Sequence, residues 1–178
     1  MHSQQTNQIV EGCLELLEGV SKSIRLKRGT LLYGEITQSA YFLGWIHGFV
    51  TSHIVWRCMY KFDKPQMGSA IDGVLNYFFG KDADERIEQI ESLLSNQSPE
   101  FLEALDNGKL VADVIAGENS EMHPIIDAAR KQLREWGHDP DAGENAGRFF
   151  GALVKISLED YFAPDWYETA IEFHTKAR

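Results

Sequence analysis

Three groups of residues in this 178-residue chain have types and spacings that could support chemistry. The first is His47, set with Tyr41 and Trp45 in the apolar run AYFLGWIHGFV, residues 40–50. An imidazole there is either a group lining a ligand pocket or a buried neutral ring meeting one backbone carbonyl. The second is expected, because apolar surroundings favour the uncharged ring. His53 follows six residues later, which on a helix turns it about 120° from His47. Helical zinc and di-iron sites use spacings of three or four, so no metal site is expected from this pair.

The second group is Glu85, Glu88 and Glu91, spaced by threes. Such a row can hold magnesium when a second acidic cluster faces it, and Glu15 with Glu18 is the only comparable pair in the first helix. A solvated acidic face is the better-supported reading. The third group is Asp139-Pro-Asp-Ala-Gly-Glu144. It starts like a calcium loop, but the glycine comes one residue early and the twelfth position is Phe150, so it reads as a loop opening a helix. No Gly-rich phosphate loop, G-x-S-x-G elbow or C-x-x-C pair is present. Cys13 and Cys58 are expected to be reduced, buried thiols, with pairing as the alternative. No cofactor, metal or enzymatic activity is expected.

The elements that would position these groups are helical. Ile9, Cys13, Leu16, Leu17, Val20 and Ile24 recur at three and four and predict a helix over residues 7–26, stopped by Gly29. Residues 30–34 are extended or a turn. A long helix over 37–62 starts at Thr37 or Ser39 and is ended by Lys64-Pro65; another over 66–79 is closed by Gly80. In residues 82–94, Ile87, Ile90, Leu93 and Leu94 face inward and the three glutamates outward. Ser98 and Pro99 start a helix that Asn107-Gly108 ends, leaving 109–116 as a short helix or an extended piece. Further helices are expected over 122–136, with Gly137 as terminator, over 146–162, and over 166–175. No alternating strands are visible. The fold class is therefore all-α, a single-domain bundle of about seven or eight helices around a central glycine-containing helix.

Residues 37–56 contain no charged side chain and are long enough to span a bilayer, but Gln38, Ser39, His47, Thr51, Ser52 and His53 are too polar for a lone span. Ala40, Gly44, Gly48 and Ser52 recur every four residues and lay a stripe of small residues along one face, where a second backbone can approach. Gly147 and Gly151 repeat that device and are candidates for the close partner. The echo between AYFLGWIHGFV and AGRFFGALVKI, each followed by a proline and a helix, also allows a two-unit pseudo-repeat of residues 1–81 and 82–178, with packing needs alone as the alternative.

The formal charge is −10, unevenly placed. Residues 1–81 carry eight Lys/Arg and six Asp/Glu, and residues 82–178 carry nine and twenty-one, so the halves stand at +2 and −12. The acidic half repels phosphate backbones and favours a protein partner with a basic surface; nucleic acid and membrane are not expected as partners, and a homo-oligomer is compatible. Lys22, Arg25, Lys27 and Arg28 form a local basic cluster that suits a helix C-terminus. The aromatic residues around Pro164, Trp166 and Tyr167 among them, suit partner anchoring beside acids. The N-terminus MHSQQTNQIVEG has neither the basic nor the apolar region of a signal peptide, so the expected compartment is the cytoplasm.

Residues 41–79 add a resemblance. YFLGWIHGFV, then Cys58, then Pro65-Gln66 and the apolar GVLNYFF resemble the helix pair of Tai-type immunity proteins, which neutralise type VI secretion amidases. That family shows Cys-Leu-Gly-Tyr-x-x-Gly and a later cysteine followed by a Gln-led helix. Here Gly44-Trp45-x-x-Gly48 and Cys58 keep part of the pattern, while Phe42 stands in place of the first cysteine and removes the disulfide it implies. The resemblance implies a binding protein and carries over no binding residue. The expected function is a non-enzymatic, protein-binding helical module of inhibitor or immunity type. It would act through its acidic C-terminal half, with Glu85, Glu88, Glu91, Trp166 and Tyr167 as contact residues. The alternative is a small-molecule binding or hydrolytic domain with a pocket near Tyr41, Trp45 and His47.

Overall fold

The apolar run around His47 becomes the 19-residue helix Ala40–Cys58. Its start is set by Ser39, whose Oγ accepts the Phe42 N–H at 3.1 Å. A computed structural model of the chain describes residues 2–24, 31–58, 62–117 and 123–162. Eight α-helices occur among them: α1 (His2–Ser23), α2 (Leu31–Gln38), α3 (Ala40–Cys58), α4 (Lys64–Phe79), α5 (Ala83–Ser95), α6 (Pro99–Ile115), α7 (Pro124–Glu135) and α8 (Ala146–Ser157). Short 3-10 turns lie at Gly80–Asp82, Gly143–Asn145 and Glu159–Tyr161. The described residues contain no strand, and no helix among them is long and apolar enough to cross a membrane.

The protein is an all-α single domain with α3 at its centre. Eleven of the nineteen α3 residues are buried, and α1, α2, α4, α5 and α6 all pack on it. Its most extensive contact is with α6, while α7 packs on α8 and α8 on α6. The reason for the α3–α6 contact is the small-residue stripe. A Cβ added to Gly44 would clash with the carbonyl oxygen of Phe101, and one at Gly48 with that of Leu105. From the other side, a Cβ at Gly108 would clash with the carbonyl of Trp45. Facing positions rise together along both chains, from Gly44 opposite Phe101, through Gly48 opposite Leu105, to Ser52 bonded to Asp113. The two helices therefore run parallel, and α4 and α5 carry the chain back between them.

This geometry corrects the sequence reading at two places. Gly108 does not end a helix: α6 runs unbroken from Pro99 to Ile115, so residues 109–115 continue it and Ala116 caps it. The glycine is there because a backbone lies against it, and termination falls instead near Gly117, at φ 89°. Gly147 and Gly151 are not the partners of α3, since an added Cβ at either meets nothing within 4 Å.

Boundaries differ elsewhere for local reasons. Residues 31–38 are helical, and Thr37 sits in their last turn with its Oγ1 donating to the Tyr33 carbonyl at 2.7 Å, so the next helix begins at Ser39 alone. Asp63 and Gln66 cap α4 reciprocally, with Pro65 in its first turn. Leu94 is 36% exposed rather than inward-facing, because it lies in the last turn of α5. Gly137, at φ 78°, ends α7 with the Gly137 N–H on the Arg134 carbonyl and the His138 N–H on that of Leu133. The loop from Asp139 leads through its 3-10 turn into α8, with the Asp139 Oδ1 accepting the Asp141 N–H at 3.0 Å. The expected helix over 166–175 lies outside the described residues.

The seam predicts opposite effects for alanine at different glycines. Gly48→Ala and Gly108→Ala should each cost about 3 kcal/mol, because the obstructing atoms are backbone and cannot rotate away. Gly151→Ala, in open space within α8, should stabilise by about 0.5–1 kcal/mol. Urea unfolding of the three variants measures both, and equal effects would contradict the close seam.

Candidate functional site

Tyr41 and Trp45, one helical turn apart on α3, meet at the same residue of α8. The Trp45 indole N–H donates to the Ser157 Oγ at 2.9 Å, and the Tyr41 hydroxyl donates to the Ser157 carbonyl at 2.9 Å. Asn107 Nδ2 donates in turn to the Tyr41 oxygen at 2.9 Å. Trp45 is fully buried and stacked on Phe49, with ring centroids 5.2 Å apart. Burial pushes the Tyr41 phenol above its ordinary pKa, and the Asn107 bond offsets part of that rise. These side chains anchor α8 and the chain beyond it. Ser39 extends the tie with a 2.6 Å bond between its Oγ and the Tyr161 hydroxyl.

His47 does not join them. Two residues on from Trp45, it points about 160° away around the helix and lies against Phe101 of α6, at 6.4 Å between centroids. Its ring is half-buried, and its Nδ1 is enclosed without a hydrogen-bond partner among the described residues, so the expected backbone carbonyl is not there. Thr51, one turn along, has its Oγ1 in the same condition. Burial lowers the His47 pKa first, and Lys109 lowers it further; Asp72 opposes them. His53 occupies a different face, 4% exposed and stacked on Phe49 at 5.9 Å. Burial, with help from Arg57, holds its pKa down to about 4. Among the described residues no three His, Cys, Asp or Glu side chains are arranged to hold a metal ion. Cys13 and Cys58 are both buried and form no disulfide among the described residues, and burial raises Cys13 to about 12.

On α5, Glu85, Glu88 and Glu91 all face solvent. They are not equivalent. Glu85 Oε1 accepts from Arg86 Nη1 at 2.9 Å, and Arg86 is only 4% exposed, so Glu85 serves to neutralise a buried charge. Gln89 Nε2 donates to the Gln38 carbonyl at 2.9 Å and fixes α5 to the end of α2. Glu88 and Glu91 carry no ion pair among the described residues and are the free part of the row. Trp166 and Tyr167 lie outside the described residues, as do Arg25, Lys27 and Arg28; Lys22 pairs with Glu18 at 2.7 Å.

One cleft was not anticipated. A space of about 600 Å³ lies between α1, α2 and α4, lined by Glu11, Leu14, Glu15, Glu18 and Ser21 of α1, Tyr33 of α2, and Tyr77 and Phe78 of α4. Glu11, Glu15 and Glu18, at spacings of four and three, share an arc of about 60° on α1. That spacing was legible in the sequence. The aromatic walls were not, because Tyr33 belongs to a helix that the sequence left undecided, and Tyr77 is 68% exposed on a helix read for its buried side.

Compared with known proteins, the chain matches no family model, no curated protein and no solved structure.

His53 predicts how stability follows pH. Unfolded, the ring takes up a proton below about pH 6.5; folded, it refuses the proton until about pH 4. Its contribution is therefore complete above pH 6.5 and is lost as pH falls toward 4, by about 3 kcal/mol at the limit. Denaturation between pH 7 and pH 4.5 should show this decline. His53→Phe should lower the proton uptake on unfolding near pH 5.5 by close to one; an unchanged slope would contradict the burial of this ring.

Proposed function

We propose that this chain is a non-enzymatic helical module that binds another protein of basic surface, acting as an inhibitor or immunity-type factor through its acidic C-terminal half. The observation that carries the proposal is the outer face of α5. Glu88 and Glu91 stand there in solvent, one turn apart, on a helix whose Arg86 is buried and whose Gln89 bonds the end of α2. A rigid helix presenting unpaired carboxylates suits the steering of a cationic surface. The resemblance of residues 41–79 to Tai-type immunity proteins supports the inhibitor reading. The second reading, small-molecule binding, gains support from the cleft between α1, α2 and α4 rather than from the surroundings of His47.

The test is charge reversal at the free positions. Glu88→Lys with Glu91→Lys should abolish recovery of the partner that the native protein retains at low salt, with the unfolding midpoint changed little. Glu85 is left intact because its loss would strand the buried Arg86. A partner bound equally well by the double variant, or none retained at low salt from the native cell, would overturn the proposal.

A further inference from the structure

The cleft between α1, α2 and α4 has the make-up of a binding site for an organic cation. Its volume of about 600 Å³ falls in the range of small-molecule sites. Its apolar lining is Leu14 of α1 together with Phe78 and the ring of Tyr77 on α4, the last 68% exposed. Glu11, Glu15 and Glu18 of α1 supply the charged part of the lining. Residues 1–81 have a formal charge of +2, so this acidic lining is local and is concealed by the charge of the half that contains it.

These glutamates have a register. Glu11 and Glu15 are about 6 Å apart along the helix axis, and Glu15 and Glu18 about 4.5 Å. Ammonium groups joined by four or three methylenes lie about 6 and 5 Å apart in an extended chain advancing about 1.2 Å per bond. The chain itself supplies one example of the required contact: the Lys22 ammonium sits 2.7 Å from Glu18. That pair is exposed on both sides, 47% and 64%, so an incoming cation can replace it at little cost.

We propose that this cleft binds a linear alkyl polyamine, laid along α1 with its ammonium groups on Glu11, Glu15 and Glu18. Its methylenes pack on Leu14 and Phe78, and the Tyr77 ring covers one ammonium by a cation–π contact. A free polyamine fits better than a lysine-rich peptide because the charges lie in one line at the spacing of a single alkyl chain. A peptide would place successive side chains on alternating faces. The site is separate from the α5 row and does not depend on the protein-binding proposal.

The experiment is titration calorimetry of the full chain with spermidine at low salt, with magnesium and trilysine as comparison probes. Saturable binding of one spermidine per chain is expected. Glu15→Gln and Tyr77→Ala should each weaken it about fivefold, and Glu88→Gln with Glu91→Gln should leave it unchanged. Both altered cleft residues are exposed, and urea unfolding of each variant checks that the fold is kept. The proposal fails if binding is not saturable, if the two cleft variants bind as the native chain does, or if the α5 variant weakens binding equally. It also fails if magnesium competes at equal concentration, which would indicate diffuse charge, or if trilysine binds more tightly, which would indicate a peptide site.

Discussion

At the seam between α3 and α6, backbone meets backbone. Gly44 and Gly48 lie against the carbonyls of Phe101 and Leu105, and Gly108 against that of Trp45. Approach at this distance allows Cα–H···O contacts and brings the flanking large residues into register. Phe42, Trp45, Ile46 and Phe49 can then be fully buried around one helix. It also constrains the topology. Two parallel helices cannot be joined by a tight turn, so α4 and α5 must form the return, and in doing so they cover α3 together with α1 and α2. The rest of the bundle follows from keeping that contact.

A seam this close leaves little room for solvent, so polar groups beside it need partners within the protein. The two ends meet this differently. At one end, Tyr41, Asn107, Trp45 and Ser157 satisfy one another across three helices. At the other, Asp113 of α6 accepts from both Ser52 and the Trp56 indole, at 2.7 Å for the latter. Between them lies the half-buried flank of His47 and Thr51, whose Nδ1 and Oγ1 find no partner among the described residues. Apolar packing governs that stretch. It keeps the imidazole neutral, in line with its lowered pKa.

The helical class and the central position of α3 were legible because both rest on periodicity: apolar residues all round one segment and on one side of the others. The stripe of Gly44 and Gly48 was legible for the same reason. Its partner was not. Gly108 stands after an asparagine in a run whose local chemistry matches a helix terminator, and only the tertiary contact shows why the helix continues through it. Gly147 and Gly151 had the better pattern and no neighbour, since spacing shows that a close approach is allowed and not that one occurs. At the candidate sites the exposure of Glu85, Glu88 and Glu91 followed from the pattern, whereas the commitment of Glu85 to Arg86 depends on a rotamer. Tyr41, Trp45 and His47 are near in sequence, yet the helix turns the histidine away from the other two, so adjacency there was misleading.

The two acidic surfaces differ in shape, and shape decides what each can hold. On the outer face of α5 a bound ammonium would stay hydrated, and its attraction would fall off within the roughly 8–10 Å screening length at physiological salt. Useful affinity there needs many such contacts spread over a large apposed surface, which is what another folded protein provides. In the cleft of α1, α2 and α4 the carboxylates share the lining with aromatic and aliphatic side chains. A small ligand can there lose apolar surface to the protein while its charges are met. The same residue type would therefore suit a large partner where the surface is convex and a small one where it is concave. That difference is invisible in the net charge of either half, because it depends on which helices the fold sets beside each acidic row.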